Sequence, residues 1–244
     1  MFSLLSHAIA EEAETVVEEV AAEPGWLESA FKKFAEAPGW TWPLIILLLV
    51  AGTAVLVYQH GKKIQWSTKM LSVGAICLAL ASVLSLIRLW RMPMGGSVTP
   101  ASMLPILLFA YAYGAGPGCI LGALYGVLQF ILDGGEFAFA GLLPNLLDYP
   151  IGFAMLGLCG LFSKREPDRL SLMTGIVVGA VGRILSSFLS GWIFYGQYAP
   201  EGWNPLVYSI AYNGAFIGVD CLICIVIASM VGLQLIRELK KAAR

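Results

Sequence analysis

Seven apolar stretches, several of them near bilayer length, follow one another along this chain of 244 residues. In hydrocarbon, backbone N–H and C=O groups must be paired within the chain, so an apolar run of about 20 residues has to be helical. The first stretch is Trp40–Tyr58, with Trp40 and Trp42 placed as interfacial anchors. The others cover about Leu71–Trp90, Ala101–Tyr113, Cys119–Leu132, Pro144–Phe162, Leu172–Phe194 and Leu206–Ile236. Charged residues make up 13% of the chain, against roughly 25% in a soluble domain, which excludes a water-soluble globular fold. Lys+Arg 15 against Asp+Glu 16 leaves no basic footprint for nucleic acid. The predicted fold class is an all-α integral membrane protein, multi-pass in the lipid bilayer, with six core helices and one additional N-terminal transmembrane helix.

Charge divides the chain into three parts. Residues 1–39 form an acidic extension that holds most of the early glutamates, from Glu11 to Glu36. It has no basic region before Phe2–Ala10, so a cleaved signal peptide is not expected. Residues 40–69 supply the extra span and a basic linker with Lys62, Lys63 and Lys69. Residues 70–244 form the six-helix domain. Lys and Arg concentrate in the linker, in 164–169 and in the C-terminal tail, which predicts that these face the cytoplasm. Two core stretches, Ala101–Tyr113 and Cys119–Leu132, are short, as expected of segments that tilt within protein or line a cavity. Gly118, Gly122 and Gly126 share a helix face, as do Gly175 and Gly179, and both faces predict close helix packing. Ala75 and Ala79 form a similar pair that fits either internal packing or a partner surface.

The chemistry that is missing narrows the function. The two histidines, His7 and His60, fall outside the six-helix region, which excludes a Ser-His pair built on Ser190. No phosphate-cradling Gly-x-x-x-x-Gly-Lys-Ser/Thr run occurs, so ATP-driven work would need another subunit. Cys221 and Cys224 sit in an apolar helix without a second ligand pair, so no metal site, cofactor or enzymatic activity is expected. The polar residues that do occur within apolar runs are then conspicuous. Asp148 follows the apolar run Leu142–Leu147, and a carboxylate at membrane depth is functional by default. Asn213 interrupts another apolar run, with Tyr208 close before it and the aromatic stretch Trp192, Phe194, Tyr195, Tyr198 and Trp203 preceding both. A carboxylate, an amide and aromatic faces suit a flat, cationic, nitrogen-rich ligand. Arg183 and Asp220 could pair within the membrane, although spacing does not show that they meet. With Asp148 they could alternatively form the proton relay of a self-contained secondary transporter.

Several motifs in order carry a family likeness. Met92-Pro93-Met94-Gly95-Gly96-Ser97-Val98, Leu147-Asp148-Tyr149-Pro150, Ser190-Gly191, Tyr198-Ala199-Pro200-Glu201-Gly202 and Tyr208-Ser209-Ile210-Ala211-Tyr212-Asn213 resemble the thiamine-specific S components of energy-coupling factor (ECF) transporters. The likeness runs from about Met70 to Arg237. It implies a six-helix membrane subunit of the cell membrane that captures thiamine from outside. Such a subunit delivers its ligand by associating with a transmembrane T component and two cytoplasmic ATPases. It also implies that Asp148, Tyr149, Tyr195, Tyr208 and Asn213 hold the ligand, with Trp192 lining the pocket and Ala75/Ala79 docking on the T component. Ser187 stands where the family pattern leads one to expect His, and Asp148 where Glu is common. A thiamine precursor or another vitamin therefore stays open as the ligand.

Overall fold

The computed structural model describes residues 66–92, 96–133 and 142–242. The acidic extension and the Trp40–Tyr58 span lie outside them.

Six helical passages account for almost all of the described residues. Helix α1 is Thr68–Leu86, α2 Leu104–Tyr113 and α3 Ala115–Leu132. Helix α4 is compound: a regular start at Leu142–Leu146, a π-turn at Leu147–Ile151, a single turn Gly152–Ala154 and a 3-10 run Met155–Phe162. Helix α5 is Arg169–Phe194, and α6 is Pro205–Ile227, which a π-turn at Ala228–Gly232 joins to α7, Leu233–Ala242. A small antiparallel hairpin, β1 (Trp90–Arg91) with β2 (Ser97–Val98), joins α1 to α2 in register Trp90↔Val98. Five passages are long and apolar enough to cross a bilayer, and α2 is the short sixth. The chain is therefore a multi-pass membrane protein.

Capping residues set the helix starts. Ser67 Oγ accepts from the Met70 N–H at 3.2 Å, Asp168 from Ser171 N–H at 3.0 Å and Asn204 from Leu206 N–H at 2.9 Å. Lys164, 2.8 Å away, together with that N–H holds the Asp168 carboxyl well below the ordinary range, at about 2.

Helix α2 forms the centre. Every residue from Leu104 to Tyr111 is buried, because a helix apolar on all sides is stable only when surrounded. Tight packing comes from glycine. A Cβ on Gly122 would strike the Phe153 carbonyl, and one on Gly126 the Tyr149 carbonyl, so α3 rests directly on the α4 backbone. Gly175 and Gly179 bring α5 against Cys159 and Leu156 of the same helix. Helix α1 is different. It buries the stripe Met70, Gly74, Cys77, Ala81 and Ser85, and leaves Ala75, Ile76, Ala79, Leu80 and Val83 exposed.

Candidate ligand site

Pro150 explains the turn that carries the carboxylate. Without an N–H, proline cannot continue an α-helical ladder, and a π-turn takes up the break. Hydroxyls of α5 support the distorted backbone: Ser186 Oγ donates to the Leu147 carbonyl at 2.7 Å and Ser190 Oγ lies 3.3 Å from that of Pro144. The widened turn sends two consecutive residues, Asp148 and Tyr149, into one cavity.

Gly96 and Ser97 of the hairpin segment line the cavity, and two helices line it in register. From α5 come Arg183, Ser187, Gly191 and Tyr195, one turn apart at about 6 Å per step. From α6 come Tyr208, Tyr212 and Phe216, with Asn213 and Asp220 beside them. The α6 rings form a ladder, with centroids 5.7 Å apart for Tyr208–Tyr212 and 6.0 Å for Tyr212–Phe216. Depth therefore runs from a tyrosine mouth (Tyr195, Tyr198, Tyr208), through a polar middle (Asp148, Ser187, Asn213), to a floor of Arg183, Asp220 and Phe153. Gly191 is required here, since a Cβ would meet Ser209 Oγ and the Asn213 amide.

The polar groups are fixed before any ligand arrives. Ser190 Oγ donates to Asp148 Oδ2 at 2.6 Å, and the Ser187 side chain faces the same carboxylate. The Asn213 Nδ2 donates to the carbonyls of Ser187 at 3.1 Å and Ser209 at 3.0 Å. Both donors are thus engaged by backbone, and Oδ1 is left as the acceptor. Tyr149 OH donates to Asp133 Oδ2 at 3.2 Å, while Arg88 pairs with Asp133 Oδ1 at 2.7 Å. Arg183 stacks on Phe153, with its guanidinium carbon 3.8 Å from the ring centroid, and its buried Nε has no hydrogen-bond partner. It forms no ion pair among the described residues.

Of the residues singled out from sequence, Asp148, Tyr149, Ser187, Tyr195, Tyr208 and Asn213 come together around this cavity. Trp192 does not line it. It lies one position off the Ser187–Gly191–Tyr195 row and stacks on Phe188, 6.0 Å between centroids at 9°. Sequence reasoning did not pick out Asp133, Gln129, Tyr212 or Phe216 as lining residues. The four-residue spacing of Tyr208, Tyr212 and Phe216 was the available signal for two of them.

A helical membrane bundle that encloses a polar, aromatic-lined cavity open at one end defines a membrane protein that takes up a small ligand. The family model described as thiamine transporter protein (Thia_YuaJ) matches residues 71–240, and the chain belongs to that family, one of transporters and not of enzymes. The thiamine transporter ThiT of Bacillus subtilis (strain 168) is 30% identical over 178 residues, covering 68% of this chain and 91% of that protein. ThiT of Lacticaseibacillus paracasei is 34% identical over 123 residues, 46% of this chain and 61% of its own length. The solved structure of ThiT from Listeria monocytogenes superposes with a TM-score of 0.59 at 27% identity, covering 70% of this chain and 96% of that one.

Proposed function

We propose that this chain is the thiamine-binding S component of an ECF-type importer in the cell membrane. It would bind thiamine from outside and pass it on through a transmembrane T component driven by two cytoplasmic ATPases. The observation that carries the reading is the charge and donor pattern of the cavity. With Asp133 paired to Arg88, the remaining lining groups that can carry charge are Asp148, Asp220 and Arg183, two carboxyl groups against one guanidinium. A monocation such as thiamine would balance the carboxyl left without a cationic partner. Asp148 and the free Asn213 Oδ1 are acceptors that suit the N–H groups of an aminopyrimidine's amino substituent, and the tyrosines supply faces for stacking and for a cation. Orientation fits capture from outside. The lining tyrosines Tyr195 and Tyr208 lie at the helix ends away from Lys164, Arg165 and Lys240, and the Lys240 ammonium donates to the Lys164 carbonyl at that far end. A stand-alone proton relay is less well supported, because the Asp220 carboxylate is already engaged by the Thr99 hydroxyl.

Mass spectrometry of small molecules that co-purify with the detergent-solubilised chain tests the ligand. Thiamine is expected. A ligand without an aromatic, nitrogen-rich ring would overturn the assignment.

A further inference from the structure

Between the hairpin and α2 the chain runs inside the bundle without regular structure. Val98, Thr99, Ala101, Ser102 and Met103 are all buried. Irregular backbone at membrane depth persists only where protein supplies its hydrogen-bond partners. Here one partner is a carboxylate from the last long helix: Thr99 Oγ1 lies 3.0 and 3.1 Å from the two oxygens of Asp220, while the Ala101 N–H donates to the Thr99 carbonyl at 2.8 Å. Thr99 Oγ1 also accepts from the Ser102 N–H at 3.1 Å, which closes the turn. Within this turn Ala101 has φ 66°, the one positive φ at a non-glycine residue among the described residues. A Cβ disfavours that conformation, so surrounding contacts must impose it. The strip is also cavity wall, since Gly96, Ser97, Thr99 and Ser102 all line the site.

We propose that Asp220 is a positioning residue that clamps the 96–102 strip onto α6, holds Ala101 left-handed, and so sets one wall of the ligand cavity. As far as it concerns ligand, this rests on the reading of the cavity as a thiamine site. Asp220 then acts through the strip and not as a counter-charge for the ligand. The left-handed turn gives a specific signature. Glycine at 101 removes the backbone penalty, so it should matter when the clamp is lost and hardly at all when the clamp is intact.

The test uses the full chain in detergent, with Asp220→Asn, Thr99→Val and Ala101→Gly alone, and with Ala101→Gly combined with each of the other two. Amide hydrogen exchange over 97–102 is read without ligand, and thiamine affinity is read by titration. Asp220→Asn and Thr99→Val should each speed exchange there and weaken thiamine binding roughly tenfold or more, the scale of a hydrogen bond to a charged group. Adding Ala101→Gly should recover several-fold of that loss, whereas Ala101→Gly alone should change affinity less than about twofold. Thr99→Val keeps the carboxylate, so it carries the test if Asp220→Asn fails to fold. Unchanged exchange in both clamp variants, or an equal effect of Ala101→Gly in all backgrounds, would overturn the proposal. The exchange measurement needs no ligand. Failure of wild-type protein to bind thiamine would therefore sink the functional reading, while the clamp would still stand or fall on exchange.

Discussion

Asp148 receives a 2.6 Å hydrogen bond from Ser190 and lines the cavity together with Tyr195 and Tyr208. Asp148→Asn keeps the size and removes the charge. The expected cost is about 1.5–3 kcal/mol, roughly 10- to 150-fold in thiamine affinity by titration. Asn213 works differently. Its donors are spent on backbone, so Asn213→Ala removes one ligand acceptor and also frees two buried carbonyls. A loss of about 1–3 kcal/mol is expected, accompanied by a lower melting temperature, because part of the cost falls on the α5–α6 contact. Tyr195 provides a face at the mouth. Tyr195→Phe should change affinity little and Tyr195→Ala considerably more; equal losses would mean that the hydroxyl matters and the ring does not. Ser187→His tests ligand identity, since the family likeness leads one to expect His there. Thiamine binding that is kept or improved supports thiamine. Loss of the native ligand with thiamine still unbound points to a smaller or differently decorated ring.

At the scale of elements, the α3–α4 contact is backbone on backbone. Gly122→Leu would drive a side chain into the Phe153 carbonyl, and no rotamer avoids the Cβ clash. At least the 1–3 kcal/mol typical of overpacking is expected, read as a lower melting temperature or lost folded yield in detergent. The exposed α1 face gives the opposite expectation. Ala75→Trp should leave thiamine binding intact, since Ala75 touches no part of the cavity, yet block uptake in cells if that face meets a partner. Equal loss of both would place the face in the subunit's own packing. These elements were readable in the sequence to different degrees. Hydrocarbon length and the need to pair backbone made the spans legible, and α2 was recognisable as short; Cys119–Leu132, also read as short, instead starts at Ala115 and forms the 18-residue, span-length α3. The glycine rows announced close packing but not which helix they would meet. The direction of Asp148 and Tyr149 was not legible, because it depends on a π-turn that Pro150 permits and α5 serines support from far along the chain. Nor was the Arg88–Asp133 pair, whose partners are 45 positions apart. Trp192 shows the limit of composition: its type suits a ligand, but its helical register turns it toward Phe188.

For the whole molecule, every described residue that lines the cavity belongs to the segment after the basic linker, which also contains the family match at residues 71–240. We propose that residues 1–39 and 40–69 are additions to a self-sufficient binding domain 70–244. A chain beginning near Gln65 should then bind thiamine within about threefold of full length, and a larger loss would make the extension part of the site. A surplus carboxyl group, an amide acceptor and a tyrosine mouth are what would make this cavity a thiamine site. Calorimetric titration of purified wild-type protein, paired with Asp148→Asn, tests this most directly. Saturable one-to-one thiamine binding is expected, weakened at least about tenfold in the variant. No thiamine binding by wild type, or equal affinity in Asp148→Asn, would contradict it.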